Sequence, residues 1–140
     1  MSKNQRIRVA QWGLGAMGQG VAKVILAKDG LELVGAFDIS PELVGKDVGE
    51  VLGVAPAGVK VSNDPASILD LEKVDVVTIA TTSWVKKQLP DLKAILSAGI
   101  NVVSIAEEMA APEAQNPEEA VELDALAKEH GVSIIGVGVS

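Results

Sequence analysis

The sequence contains no cysteine and very few aromatic residues, and both absences exclude classes of protein at the outset. Without cysteine the chain has no disulfide, no thiolate metal site and no cysteine nucleophile. Its aromatic residues are Trp12, Phe37 and Trp84, so its core must consist of Val, Ile, Leu and Ala. Such cores are typical of parallel sheets that are buried on both faces.

Basic residues and long apolar runs are also lacking. The formal net charge is −7, and Lys86-Lys87 is the one pair of adjacent basic residues. Nucleic-acid binding needs clustered cations, so the charge argues against a nucleic-acid partner. No apolar run is long enough to cross a bilayer, and the polar residues 1–6 lead into the first strand without the apolar stretch of a signal peptide. We therefore expect no membrane partner and a cytoplasmic location.

Segments of strand character alternate with segments of helix character along the chain. The predicted strands are residues 7–11, 31–37, 59–61, 75–80, 101–105 and 132–137. The predicted helices are residues 16–28, 66–71, 83 or 84 to about 97, and 117 to about 130, with a short helix within 41–58. This alternation predicts an α/β fold of the Rossmann type, a doubly wound parallel sheet with helices on both faces.

Two predicted helices have notable sequences. In the first, the apolar residues Met17, Val21, Val24 and Ile25 recur at helical spacing. The helix that begins at Ser83 or Trp84 contains Pro90, and a proline inside a helix costs about 3 kcal/mol. The first half of that helix is therefore in doubt.

A glycine-rich segment joins the first strand to the first helix, and its sequence is Gly13-Leu14-Gly15-Ala16-Met17-Gly18. In this context Gly13 permits a tight turn, Gly15 lets backbone amides approach a diphosphate, and Gly18 lets the helix pack closely on the strand. The helix N-terminus adds free N–H groups and a partial positive charge. Residues 1–140 are therefore predicted to form one dinucleotide-binding domain for a nicotinamide cofactor.

The end of the second strand bears on the choice of cofactor. Asp38, followed by Ile39, lies twenty residues after Gly18, where an acidic side chain accepts hydrogen bonds from the adenosine ribose. Its charge should repel a 2′-phosphate, and no arginine follows within residues 39–41. We expect NAD, and NADP stays open because Lys46 could reach the same position.

Two further segments follow predicted strands and should lie at the same edge of the sheet. The small residues Ala80, Thr81 and Thr82 could contact the ribose or the nicotinamide, although a hydroxyl there could equally cap the next helix. Glu107-Glu108 could bind a cationic substrate or exchange a proton, or could be a solvated acidic loop. The single histidine, His130, ends a helix at the opposite edge, so neither catalysis nor zinc is expected there.

Two segments, Trp-Gly-Leu-Gly at 12–15 and Ala-Glu-Glu at 106–108, are the most specific parts of a family pattern. Through them the chain resembles the N-terminal domain of the 2,4-diaminopentanoate dehydrogenase family and related amine dehydrogenases, which are distant relatives of dihydrodipicolinate reductase. The resemblance covers residues 9–18, 44–49, 80–83, 101–108 and 136–139, and so nearly the whole chain.

The resemblance implies an NAD(P)-dependent oxidoreductase that interconverts an amine and a ketone with ammonia, the substrate being a small diamino acid. It also implies that one carboxylate of the pair Glu107-Glu108 assists amine deprotonation or holds the imine, and we favour Glu107. The family has a second domain for the substrate and the subunit contacts. By the resemblance, that domain would begin at about Ser140, the last residue of this sequence. We therefore expect a truncated chain that binds cofactor without catalysis, and a homo-oligomer.

Two other functions stay open. A dihydrodipicolinate reductase-like enzyme would use the same cofactor domain but needs a basic substrate-binding motif in a second domain. A stand-alone nucleotide-binding or redox-sensing module would explain the short length, but it does not explain Glu107-Glu108 at the catalytic edge. A Rossmann domain with an inactive nucleotide site is the least favoured interpretation.

Overall fold

The computed structural model describes residues 6–70, 73–80, 85–105 and 117–136. Its strands are β1 (Ile7–Trp12), β2 (Leu31–Phe37), β3 (Val61–Ser62), β4 (Val76–Ile79), β5 (Asn101–Ser104) and β6 (Ile134–Gly136). Its helices are α1 (Ala16–Ala27), α2 (Val48–Leu52), α3 (Ala66–Leu69), α4 (Val85–Ser97) and α5 (Pro117–Glu129). None of the helices in the described ranges has the length and apolar character that crossing a bilayer requires.

The six strands form one parallel sheet in the order β3-β2-β1-β4-β5-β6. All five strand pairs are parallel, and β1 lies between β2 and β4. Chain connections run outward from β1 in both directions, so the sheet is doubly wound and its switch point lies at the carboxyl end of β1. The predicted Rossmann-type fold is confirmed.

Helices cover both faces of the sheet, and each face has its own apolar cluster. On one face α1 and α2 pack on the sheet through residues that include Val9, Ala22 and Ile25. On the other face α3, α4 and α5 pack on residues that include Val77 and Ile79. Burial on both faces explains why the strands are runs of β-branched residues instead of alternating apolar and polar ones.

Most predicted elements are present, with ends that differ by one to three residues. Strand β1 includes Trp12, and β3 lies at 61–62 instead of 59–61. Strand β4 spans Val76–Ile79 within the predicted 75–80, and β6 spans Ile134–Gly136 within the predicted 132–137. The predicted helix start at Ser83 or Trp84 lies outside the described residues, whereas the start predicted at 117 agrees with α5.

The apolar spacing in α1 identifies the face that packs on the sheet only in part, since Val21 and Ile25 pack in the core cluster of that face. The buried residues of α1 are Gly18, Ala22 and Ile25, whereas Met17 and Val24 are about half exposed. Small residues occupy the contact face because this helix lies very close to the strand and the loop beneath it. The spacing of large apolar residues does not indicate that a helix packs this closely on a strand.

Pro90 does not interrupt α4, which is continuous from Val85 to Ser97. A proline at this position removes the one N–H that would bond the carbonyl of residue 86, in the first turn and a half of the helix. The following residues Leu92, Ile95 and Leu96 are fully buried against the sheet. Their burial outweighs the local cost of the proline.

A second glycine-containing loop is folded around one carboxylate. The oxygens of Asp47 accept backbone hydrogen bonds from Gly49, Ala57, Gly58 and Val59 at 2.7–3.1 Å. These N–H groups, that of Ala57 most strongly, hold the pKa of the Asp47 carboxyl below its ordinary value of 3.8. The carboxylate thus ties the start of α2 to the segment that leads into β3.

Replacing Asp47 with Asn should destabilise the fold at neutral pH, because an amide NH₂ would face two N–H donors. A carboxyl with a lower pKa in the folded chain stabilises the fold above 3.8, and this contribution is lost as the pH falls through the folded pKa. Urea unfolding at pH 7 should therefore give a lower free energy of unfolding for the variant than for the wild type. The difference between the two free energies should decrease below pH 3.8. Asp29→Asn, at an exposed residue, is the control and should match the wild type. Equal stability of wild type and Asp47→Asn at pH 7 would contradict the prediction.

Candidate functional site

The candidate site lies at the carboxyl edge of the sheet, where backbone hydrogen bonds hold neighbouring strand ends together. Gly13 N–H donates to the Phe37 carbonyl at 2.8 Å, and Ala80 N–H donates to the Trp12 carbonyl at 2.9 Å. On the next strand, Ile105 N–H donates to the Ile79 carbonyl at 3.0 Å. The segments that follow β1, β2, β4 and β5 therefore all leave the sheet at one edge.

The glycine-rich loop makes a tight turn at Gly13 and closes on itself at Gly18. Gly13 has a φ of 101°, a backbone conformation that favours glycine. A Cβ on Gly18 would lie 1.9 Å from the carbonyl oxygen of Gly13, so no side chain fits there. A Cβ on Gly15 would have no atom within 4 Å, so the space above the loop is open.

The first turn of α1 presents its backbone amides at this open side. Gly15, Ala16 and Met17 are exposed, whereas Leu14 is fully buried. The helical bonding begins with Gln19 N–H to the Gly15 carbonyl at 2.9 Å, so the preceding N–H groups have no intrahelical acceptor. Gly15 occupies the N-cap and has no side chain that could accept from them. These amides are available to an anion from outside the chain.

Asp38 lies beside the loop and is bonded to it. Its Oδ2 accepts from the Leu14 N–H at 2.6 Å, and its Oδ1 accepts from the Ser40 N–H at 2.8 Å. Each carboxylate oxygen keeps a second lone pair, so both can still accept from a ligand hydroxyl. The next residue, Ile39, is 76% exposed, a large apolar side chain open to solvent at the edge of the site.

The remaining predicted site residues are only partly covered by the structure. Ala80 is half-buried at the end of β4. Thr81, Thr82, Glu107 and Glu108 lie outside the described residues, and their predicted roles stay predictions. His130 follows the end of α5, at the opposite edge of the sheet from the loop, as expected. Within the described ranges no three acidic or histidine side chains come together as a metal site would require.

Sequence reasoning missed two buried amides near this edge. Gln11 is fully buried beneath the loop, where its Nε2 donates to the Gly13 carbonyl at 2.9 Å and its Oε1 accepts from the Thr78 hydroxyl. Gln88 on α4 is also fully buried and accepts from the Ser104 hydroxyl at 2.8 Å, at the end of β5. The available signal was an amide in the middle of an otherwise apolar strand or helix face.

On the other face of β1 an aromatic pair lies behind the strand ends. The rings of Trp12 and Phe37 have centroids 4.2 Å apart, and the Trp12 Nε1 donates to Asp91 at 3.3 Å. Burial raises the pKa of the Asp91 carboxyl, and the hydrogen bond from Trp12 acts in the opposite direction. The pair stabilises the two backbone ends from which the loop and Asp38 depart.

Comparison with known protein families gives one match that covers most of the chain. Residues 7–104 match the family described as "Dihydrodipicolinate reductase, N-terminus". The chain is also 38% identical, over 97% of its length, to the 2,4-diaminopentanoate dehydrogenase of Acetoanaerobium sticklandii. It spans 39% of that relative. The sequence resemblance to this group of enzymes is confirmed.

Solved structures give the same result. An amine dehydrogenase from Mycobacterium smegmatis superposes with a TM-score of 0.88 at 40% identity, over 94% of this chain and 39% of the other. GenD2 from gentamicin A biosynthesis, solved in complex with NAD, superposes with a TM-score of 0.74 at 26% identity, over 94% of this chain and 34% of the other. The chain thus spans about two fifths of the curated relative and of the most similar of these structures.

Gly18 and Gly20 provide a matched pair of substitutions in α1. Gly18→Ala should destabilise the fold by about 3 kcal/mol, because the new methyl group would overlap backbone atoms of Gly13 that cannot move cheaply. Gly20→Ala has nothing within 4 Å of its new Cβ and should stabilise the helix by about 0.5–1 kcal/mol. Thermal unfolding of both variants measures the difference, and a Gly18→Ala variant as stable as the wild type would refute the close approach.

Proposed function

The chain belongs to the family of dihydrodipicolinate reductase N-terminal domains, and on this premise we propose that it binds a nicotinamide dinucleotide at the carboxyl edge of its sheet. The observation that carries the proposal is the placement of Asp38 beside exposed, unbonded amides of the α1 N-terminus. These amides suit a diphosphate, and the carboxylate suits the hydroxyls of the adenosine ribose.

The residues present fit such a cofactor. The open space above Gly15 lets the diphosphate approach the backbone, and Ala16 and Met17, whose N–H groups have no intrahelical acceptor, are exposed residues next to it. Ile39 offers an exposed apolar surface next to Asp38, where the adenine would lie. Ala80, Thr81 and Thr82 follow β4 and are proposed to contact the ribose or the nicotinamide.

We propose NAD in preference to NADP. A 2′-phosphate would lie against the Asp38 carboxylate, which Leu14 and Ser40 hold in place from two sides. The carboxylate therefore cannot turn away without losing both backbone bonds. The neighbouring structure of GenD2, at 26% identity, contains NAD.

Dinucleotide binding is tested by calorimetry and thermal shift with NAD and NADP. A ligand at 100 times its dissociation constant should stabilise the protein by about 2.7 kcal/mol. Asp38→Ala should weaken NAD binding at least tenfold and reduce the preference for NAD over NADP, because both the ribose acceptor and the repelling charge are removed. Asp29→Ala, at the opposite edge, is the control and should bind as the wild type does. Absence of binding by the folded wild type would refute the proposed function.

We further propose that the whole protein is an amine or diamino acid dehydrogenase. The support is the similarity to 2,4-diaminopentanoate dehydrogenase and to the mycobacterial amine dehydrogenase. When bound, the nicotinamide would supply the acceptor for a hydride from the carbon that carries the amine. Glu107 or Glu108, three and four residues after the end of β5, would take the proton that leaves the amine nitrogen.

Replacing the proton acceptor should lower the rate of amine oxidation without changing cofactor binding. In a chain that includes the substrate domain, Glu107→Gln or Glu108→Gln should lower kcat by about 10²–10⁴-fold at an unchanged Kd for NAD. We expect the larger effect at Glu107. Glu129→Gln, at the far end of α5, is the control for loss of one carboxylate. Full activity of both site variants would exclude the pair from proton transfer.

A dihydrodipicolinate reductase-like activity is the second candidate, because the family model is built on that enzyme. Reduction of a cyclic dicarboxylate would need cations to bind its carboxylates, whereas a diamino acid needs an acidic environment such as Glu107-Glu108. Measuring the activity of a chain that includes the substrate domain on a diamino acid and on a cyclic dicarboxylate separates the two candidates.

The whole protein is also proposed to be a homo-oligomer. Two apolar side chains at the β6 end of the sheet are open to solvent, Val121 on α5 at 71% and Ile135 on β6 at 56%. Exposed apolar residues on neighbouring elements at a sheet edge are typical of a surface that another segment or subunit covers.

A further inference from the structure

We propose that Gln11 is a positioning residue for the cofactor loop, and that Gln11 and Asp38 together fix the orientation of the peptide group between Gly13 and Leu14. This inference rests on the proposed dinucleotide binding. Gln11 precedes the glycine-rich motif in the sequence, and it would act on the motif through its side chain.

The two hydrogen bonds act on opposite ends of one peptide group. The carbonyl oxygen of Gly13 accepts from Gln11 Nε2 at 2.9 Å, and the N–H of Leu14 donates to Asp38 Oδ2 at 2.6 Å. In a trans peptide the C=O and N–H point in opposite directions, and none of the described peptide bonds is cis. Gln11 therefore holds the inner end of this group, and Asp38 holds its outer end.

The Gly13 carbonyl and the Thr78 hydroxyl bond opposite ends of the Gln11 amide. Thr78 lies directly opposite Gln11 in the parallel pair of β4 and β1, and its hydroxyl donates to Gln11 Oε1. Because the Gly13 carbonyl can only accept, the fully buried amide directs its NH₂ group at that carbonyl and leaves its oxygen for the Thr78 hydroxyl. The polar chain thus runs from β4 through β1 into the loop.

The orientation of this peptide group matters for an anionic ligand. Gly13 has a φ of 101°, and a glycine permits the peptide to rotate at little steric cost. Rotation would turn the Gly13 carbonyl oxygen away from Gln11 and towards the open side, where its partial negative charge would repel a diphosphate. The same rotation would take the Leu14 N–H away from Asp38.

Helix α1 lies against the same carbonyl. A Cβ on Gly18 would be 1.9 Å from the Gly13 oxygen and 3.2 Å from Gln11 Nε2, so the helix, the loop and the glutamine side chain meet at one point. A rotated peptide would therefore also loosen the packing of the helix N-terminus whose amides are exposed. The amide of Gln11 contributes to both the loop conformation and the helix position.

Substitutions at Gln11 and Thr78 test the inference by NAD affinity. Gln11→Met keeps the volume but cannot donate, and it should weaken NAD binding about tenfold. Thr78→Val replaces the hydroxyl with a methyl group and should weaken NAD binding about threefold or more. Thr78→Ser keeps the hydroxyl and should bind NAD as the wild type does. Ile95→Val changes a buried residue near the C-terminus of α4 and controls for a general loss of stability. It should lower the melting temperature without weakening NAD binding.

A second measurement does not depend on cofactor. Hydrogen exchange of the Leu14 amide, followed by NMR in the absence of nucleotide, should be at least tenfold faster in Gln11→Met and Thr78→Val than in the wild type or Thr78→Ser. Faster exchange in these two variants, combined with a wild type that binds neither NAD nor NADP, would uphold the peptide clamp and refute the proposed function.

Wild-type NAD affinity in both Gln11→Met and Thr78→Val, with unchanged exchange of the Leu14 amide, would overturn the positioning role while leaving the proposed function intact. Affinity lost equally in Thr78→Val and Thr78→Ser would also overturn it, because the effect would then not follow the hydroxyl. If Gln11→Met does not fold, the two Thr78 variants carry the test.

Discussion

The structure of the site depends on the close approach of Gly18 to the carbonyl oxygen of Gly13. Because no Cβ fits between them, α1 begins directly on the loop instead of a side chain's width above it. This approach directs the first-turn amides at the open side of the sheet edge, where an anion benefits from both the free N–H groups and the helix dipole. A larger residue at position 18 would displace the helix and with it the amides.

The two faces of β1 support this contact in different ways. On the α1 face, Gln11 and Thr78 form a buried polar chain that ends on the loop. On the α4 face, Trp12 packs on Phe37 and donates to Asp91. Successive residues of a strand point to opposite faces, so adjacent positions in one short strand can hold the backbone by hydrogen bonding and by ring packing at once.

Much of the fold could be predicted from the sequence, because alternation of strands and helices, β-branched runs and glycine turns are local signals. The placement of Asp38 next to the loop also followed from its position after the second strand. The inward face of α1 was not predictable in the same way, since Gly18 and Ala22 have no apolar signal and owe their burial to tertiary contact. The roles of Gln11 and Asp47 depend in part on Thr78 and Ala57, which become their neighbours only through folding.

The loop divides its amides between the protein and the proposed ligand. Leu14 donates to Asp38 and has a fully buried side chain, so this residue is committed to the interior. The N–H groups of the exposed residues Ala16 and Met17, in the first turn of α1, have no acceptor within the helix. In a chain with a net charge of −7, these backbone dipoles supply positive potential for the proposed anion. The Asp38 carboxylate is held beside the loop by its bonds from Leu14 and Ser40, and each of its oxygens keeps a lone pair for a ligand hydroxyl. In the proposed complex the loop would therefore bind the diphosphate, and Asp38, just after the end of β2, would face the adjoining ribose.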